Sequence, residues 1–329
     1  MSSQDGGRPT SAGRPRREPG PVLVAGDANL DLVLRGDIRP RFGQAEQFLT
    51  GADLVLGSSA GIMAAGLARL GVEVGLVARV GDDWFGERTL ALLVDHGVDV
   101  AGVRTVPGPT GLSVILSDDD RAILTLPGAM AGLQAADVRL ALAGSGAQHL
   151  HLASFFLLPE LARDLPVLLA RARAAGVTTS LDSNWDPTER WSGVAACLPH
   201  LDLLFPNATE AIELAGALGT GRPANALEGA RVLAAAGPTV VVKDGADGGF
   251  AVSGTQVVRA AALPVRVVDT TGAGDSFDAG FLAGWVEGQP LADCLAWAVA
   301  AGSLSATATG GTAGQPARTD LLAALGRQP

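Results

Sequence analysis

Tyrosine is missing from the 329-residue chain, and lysine occurs once, at Lys243. A Walker A loop needs Gly-Lys followed by Ser or Thr. Lys243 stands between Val242 and Asp244, so a P-loop nucleotide hydrolase is excluded. The His-Arg-Asp and Asp-Phe-Gly signatures of protein kinases are absent too. Both shortages fit the codon usage of a GC-rich genome and are neutral about fold. Only two cysteines occur, Cys197 and Cys294, far apart. They exclude a disulfide scaffold and a cysteine-based zinc cluster, and they read most simply as buried thiols. No stretch reaches the ~18 apolar residues of a membrane span. Basic residues are outnumbered, 24 Lys+Arg against 34 Asp+Glu, for a net charge of −10. That balance excludes general nucleic-acid binding, which relies on basic surface. If anionic phosphates are handled, local features must meet them: bound cations and helix N-termini.

Apolar material is plentiful, 47% of residues against 18% charged. The length suits one large α/β domain or two smaller ones. Residues 1–20 carry Arg8, Arg14, Arg16 and Arg17 among Gly, Pro and Ser, with no apolar stretch behind them. They are expected to form a disordered tail rather than a secretory signal, and the protein is expected to be cytoplasmic.

Short apolar runs predict strands at 22–26, 74–77, 149–153, 177–181, 201–205 and 240–242. Helices are predicted at 59–70, 84–95, 160–175, 208–216, 225–236, 274–287 and 291–308, several closed by Gly. Strand and helix alternate after residue 137, which implies a parallel sheet covered on both faces. Residues 31–56 and 111–126 read as short strands and a hairpin, a strand-rich insertion suited to a lid over the strand ends. A β-rich patch is predicted at 249–268. Asp118-Asp119-Asp120, inside the hairpin, reads as a solvated turn before it reads as a metal site. His149 and His151 share one strand face, and without a third ligand nearby they read as packing residues.

The chemistry concentrates in Asp269-Thr-Thr-Gly-Ala-Gly-Asp275, which opens a helix carrying Phe277, Phe281 and Trp285 on one face. Free N–H groups and the positive helix end at such a turn hold an anion. Gly272 and Gly274 remove the side chains that would block close approach. Asp275 falls in the first turn, where a carboxylate either caps the helix or accepts the proton of an attacking hydroxyl.

This segment resembles the C-terminal signature of the ribokinase-like sugar kinases, also called PfkB carbohydrate kinases. The resemblance implies a three-layer α/β/α domain over 21–329, a largely parallel central sheet and a small β-sheet lid. It implies an ATP-dependent kinase of a small sugar, with Asp275 as base and Gly272, Ala273, Gly274 and the Asp275 amide as the anion hole. Gly26-Asp-Ala-Asn29-Leu-Asp31 resembles the family's first strand and turn, which makes Asn29 and Asp31 sugar ligands; read alone, they are a polar turn. Asn207-Ala-Thr-Glu210 resembles the family's Asn-x-x-Glu motif. Glu210 would then hold hydrated Mg²⁺ through water, with Asn207 near the nucleotide phosphates. The same four residues are also a capping box. Lys243, Gly245 and Gly248 resemble the strand and loop bordering ATP, and Val299 and Gly302 would neighbour the adenine. Lys243 read alone is a strand-end lysine. Asp269 and Thr271 would hold a monovalent cation, K⁺ in type.

The chain departs from the family at Gly57-Ser58-Ser59-Ala60-Gly61-Ile62. Ser58 stands where the motif has a second Gly, and Ile62 where it has Asn. Close backbone approach at Gly57 survives. Neutral Ser58 and Ser59 favour an unphosphorylated substrate. Asp182-Ser-Asn184-Trp185 resembles the Asp-x-Asn stretch of fructokinases and ketodeoxygluconate kinases, but lacks the basic residue close behind. Ribose, fructose and ketodeoxygluconate types are therefore the expected acceptors. A nucleoside kinase, with Phe155-Phe156 or Trp185 as a base pocket, is the alternative, and a non-catalytic sensor on the same fold a further one. Lids of the family often pair edge to edge, so the resemblance admits a homodimer through the lid, and the sequence leaves the oligomeric state open. The dinucleotide motif Gly-x-Gly-x-x-Gly does not follow the first strand, so a dehydrogenase reading lacks support.

Overall fold

The computed structural model describes residues 20–117, 121–219 and 221–327. The predicted tail, Gly20 excepted, and the Asp118-Asp119-Asp120 turn lie outside the described residues. The first half runs β1 (Val22–Ala25), β2 (Asn29–Gly36), β3 (Leu49–Leu56), α1 (Ser59–Arg69), β4 (Val74–Val77), β5 (Arg79–Gly81) and α2 (Trp84–Asp95). It continues through β6 (Arg104–Val106), β7 (Gly111–Ser117), β8 (Arg121–Leu126) and α3 (Ala135–Ser145). The second half alternates: β9 (His149–Leu152), α4 (Pro159–Ala174), β10 (Thr178–Leu181), β11 (Leu203–Leu204), α5 (Ala208–Gly216), α6 (Ala226–Ala235) and β12 (Thr239–Lys243). It closes with β13 (Gly249–Ser253), β14 (Gln256–Ala260), α7 (Ala273–Val286), α8 (Leu291–Ser305) and α9 (Arg318–Ala324).

Eight strands form the main sheet in the order β14-β13-β12-β11-β10-β9-β1-β4. From β12 to β4 every pairing is parallel, and β13 and β14 extend it antiparallel. Alternation along each strand divides the core in two. Val22, Val24 and Val241 join α1, α7 and α8 on one face. Leu23, Ala25, Val240 and Val242 join α3, α4, α5 and α6 on the other. Burial on both faces is what a parallel sheet between two helix layers requires. A second sheet, β3-β2-β7-β8, stands apart from it. Its strands lie within 29–56 and 111–126, where short strands and a hairpin are expected at 31–56 and 111–126.

Helix ends follow their caps. Asp83 accepts from Gly86 N at 2.9 Å to open α2, and Asn225 accepts from Glu228 N at 3.0 Å to open α6. Some expectations are corrected. The β-like run Val265 to Val268 is no strand, and the β-rich patch ends at Ala260. Val268 N and Asp269 N both donate to Ala306 O, at 2.8 and 3.2 Å, which ties this segment to the end of α8 instead of a sheet edge. Helix α3, helix α9 and the β5-β6 pair lie where no element is predicted. Among the described residues, no helix is long and apolar enough to cross a membrane. His149 and His151 are packing residues, bridged by the Ser180 hydroxyl at 2.7 Å from each. Cys197 and Cys294 are buried, and burial pushes both thiols up to about 12.

Candidate active site

Five neighbouring parallel strands end on one edge of the sheet, and each delivers polar residues there. Asp27 follows β1, Ser154 follows β9, Asp182 follows β10, Asn207 follows β11, and Lys243 closes β12. Helix α7 starts against this edge. Its N-cap, Gly272, has φ +70°, a left-handed conformation that glycine adopts without strain. A β-carbon there would stand 2.7 Å from Gly311 Cα and 3.0 Å from Ile62 Cγ2. The turn is therefore packed from behind by Gly311 and Ile62. Ile62 is buried against it, 3% exposed.

Asp275 lies in the first turn of α7, half-buried. Burial pushes its carboxyl up to about 8; Asp182 and Asp27 push the same way, while Lys243 and the Ser59 hydroxyl pull back. Ser59 Oγ accepts from Asn184 Nδ2 at 2.7 Å, so its own hydrogen is available to Asp275. Asp27 accepts from the α1 amides of Ser59 and Ala60 at 3.2 and 3.0 Å. The N-terminus of α1 is thus anchored beside the candidate base.

The predicted sugar ligands sit together at the start of β2. Asn29 Nδ2 donates to Asp31 Oδ1 at 3.1 Å, and both residues are buried. Ser58 Oγ caps α1, accepting from Gly61 N at 3.1 Å. Its φ of +69° is one that L residues rarely adopt. Ser154 and Asn184 also have positive φ, and Asn184 Oδ1 accepts from Ser154 N at 2.8 Å. Such conformations persist only where surrounding structure enforces them, and they cluster at functional sites.

At the start of α5 the capping box is complete. Glu210 N donates to Asn207 Oδ1 and Asn207 N to Glu210 Oε2, both at 2.9 Å. Burial, with Asp182 nearby, pushes the Glu210 carboxyl up to about 7. Among the described residues no three His, Cys, Asp or Glu side chains group as a metal cage. One carboxylate at this edge fits Mg²⁺ carried by nucleotide phosphates and water, not an all-protein site. Around Gly245 the surface is open, with nothing within 4 Å of a built β-carbon, while Gly248 is pressed against the backbone of residues 260–262. Gly302 abuts Ala273 O and Phe277 at the α7–α8 contact, and Val299 is buried. Asp269 engages both carboxylate oxygens: Thr271 N and Oγ1 donate to Oδ1 at 2.9 and 2.7 Å, and Gly310 N to Oδ2 at 2.9 Å.

Lys243 makes two ion pairs at this edge. Its ammonium lies 2.7 Å from Asp182 Oδ2 and 3.2 Å from Asp278 Oδ2. Sequence reasoning passes over Asp278 and Asp27. A signal for Asp278 is present, a carboxylate one turn after Asp275 in an otherwise apolar helix, and Asp278 is 1% exposed.

The model of the pfkB family of carbohydrate kinases matches residues 26–318. An ATP-dependent ribose-1-phosphate kinase of Halopiger xanaduensis is 34% identical over 294 residues, 87% of this chain and 91% of its own. A ribokinase of Arabidopsis thaliana is 31% identical over 319 residues, 93% of this chain and 81% of its own. The structure of Arabidopsis thaliana ribokinase complexed with ribose and ATP superposes with a TM-score of 0.76 at 27% identity, covering 93% of this chain and 98% of that one.

Proposed function

The chain belongs to the pfkB family of carbohydrate kinases, and from that premise we propose that it moves the γ-phosphoryl group of ATP to a hydroxyl of a small unphosphorylated sugar of ribose, fructose or ketodeoxygluconate type. The observation that carries this reading is the placement of Asp275. It stands half-buried behind the left-handed Gly272 turn, at the edge where five strands end, with Ser59 and Asp27 on its acceptor side.

Asp275 takes the proton of the acceptor hydroxyl as that oxygen attacks. A base with a pKa near the working pH is suited to this step. The amides of 272–275 and the positive end of α7 face the charge that develops on the transferred group. Bound Mg²⁺-ATP would supply the phosphoryl group, and the metal's positive charge would offset the charge on the phosphates. Glu210 would hold that Mg²⁺ through water, Asn207 would lie by the phosphates, and the open surface at Gly245 would receive the nucleotide beside Gly248, Val299 and Gly302. Asp269 and Thr271 would border a K⁺ site. Asn29, Asp31, Gly57 and Ser58 would hold the sugar, whose hydroxyls match paired amide and carboxylate groups. The four-stranded sheet would close over it as a lid. Its outer strands β3 and β8, with Leu49, Ile123 and Leu124 exposed, would pair in a homodimer.

The acceptor side supports an uncharged substrate. Asp27, Asn29, Asp31, Ser58, Ser59 and Asn184 are neutral or acidic, and a phosphorylated acceptor would meet like charge. A second reading, a nucleoside acceptor, is favoured by one observation. Trp185, Trp191, Phe156 and Phe155 form a chain of edge-to-face contacts, with centroids 5.0, 5.6 and 5.1 Å apart. Trp185, next to Asn184, is 47% exposed, and such a ring can stack on a nucleobase. The test is ADP release from Mg²⁺-ATP with ribose, fructose, ketodeoxygluconate, ribose-1-phosphate, adenosine and cytidine, with and without K⁺. Turnover on a free sugar is expected. Preference for ribose-1-phosphate or for a nucleoside would overturn the substrate assignment.

A further inference from the structure

Beneath the candidate base lies a buried charge cluster that the reaction outlined above does not use. Asp182 extends β10, Asp278 sits one turn along α7 from Asp275, and Lys243 reaches both from the end of β12. The two carboxylates are 2% and 1% exposed. Asp278 Oδ1 is buried without a hydrogen-bond partner, and the polar neighbours of that side chain are the Lys243 ammonium and the Asp182 carboxyl. The lysine stem lies along the anion-hole turn: a β-carbon built at Gly274 stands 3.4 Å from Lys243 Cδ and 3.8 Å from Nζ. Lys243 therefore touches the turn that carries Asp275 while its charge is held from two sides.

We propose that Lys243 is a positioning residue whose ammonium, bridging Asp182 and Asp278, fastens the first turn of α7 to the ends of β10 and β12 and supplies the counter-charge that lets Asp275 ionise. The proposal rests on the reading of Asp275 as the base. The groups facing Asp275 are Asp182 from the end of β10, Asp27 from the end of β1, Ser59 from α1, Asp278 from its own helix and Lys243 from β12. Glu210 on α5 acts on the same ammonium. Four of these neighbours are carboxyl groups, and Lys243 is the single cation among them. The burial of Asp278, which holds its carboxyl well above the usual range, keeps the cluster from overwhelming that one positive charge. A lysine that merely filled space would leave the ionisation of Asp275 unchanged when replaced.

Carbon-13 labelling of aspartate carboxyls in the full chain reads that ionisation directly, with the Asp275 signal assigned by its loss in Asp275→Asn. In Lys243→Met the Asp275 midpoint is expected to rise by about one pH unit or more, the size an opposite charge at close range gives. The acid limb of kcat/KM is expected to rise with it, and Lys243→Arg to restore both. If Lys243→Met fails to fold, Lys243→Met/Asp278→Asn compared with Asp278→Asn alone asks the same question with one buried carboxylate removed, and the same rise is expected. An Asp275 midpoint that stays in place in either folded comparison overturns the proposal. The carboxyl signal needs no turnover, so failure of the kinase reading shows separately, as absent ADP release by the unmodified chain.

Discussion

Gly57 leaves the space that the Asp31 carboxylate occupies: a β-carbon built at residue 57 stands 2.1 Å from Asp31 Oδ1. Gly57→Ala is therefore expected to displace Asp31 from the acceptor side. Losing a hydrogen bond from a charged group is worth about 1.5–3 kcal/mol, roughly a 10- to 100-fold rise in KM for the sugar. KM for ATP is expected to stay unchanged. Steady-state kinetics with each substrate varied in turn check this, and an unaltered sugar KM would remove Asp31 from the site.

Ser58 combines a useful cap with a strained backbone. Its hydroxyl accepts from Gly61 N, but its φ is +69°. Replacing a serine cap by glycine loses only a few tenths of a kcal/mol, whereas a non-glycine residue in a sparsely populated region costs about 1–3 kcal/mol. The strain outweighs the cap. Ser58→Gly is expected to stabilise the fold by about 1 kcal/mol and Ser58→Ala to destabilise it, as denaturant titration of the two variants measures.

The pH profile follows from Asp275. The base acts when ionised, so activity is expected to fall as pH drops through its value of about 8. The acid limb of kcat/KM for the free enzyme should lie near that pH and vanish in Asp275→Asn.

The same shift predicts a stability effect of opposite sense. The folded-state value lies well above the ordinary aspartate value of about 3.9. Stability contributed by the carboxyl is thus full below pH ~4 and lost progressively as pH rises through about 8. Asp275→Asn removes that penalty. The variant is expected to melt above the unmodified chain at pH 8, by about 2–4 °C per kcal/mol relieved, and the gap should close toward pH 4. Melting curves across that range check the trend.

Much of this site is legible in sequence because its signals are local. The capping box of Asn207 and Glu210 needs four residues, and both of its bonds form. Helices α1 and α2 end at glycines that the pattern points to, and the Gly272 turn opens α7 where the glycines require it. Asp278 and Lys243 are different. Their meeting depends on residues 35 positions apart, and that of Lys243 with Asp182 on 61. No window of sequence contains either pair. Asp27 is hidden for the same reason, since its partners Ser59 and Ala60 are 32 and 33 residues away. Val265 to Val268 has strand-like side chains, but Val268 N and Asp269 N bond Ala306 O at the end of α8, so tertiary context overrides propensity there.

Asp275→Asn, assayed for ADP release beside an ATP-binding titration, tests the central claim most directly. A loss of kcat by about 10³-fold or more with ATP affinity retained is the expected result, since general-base transfer alone supplies roughly 10²–10⁴-fold. Turnover near that of the unmodified chain would contradict the assignment of Asp275 as the base.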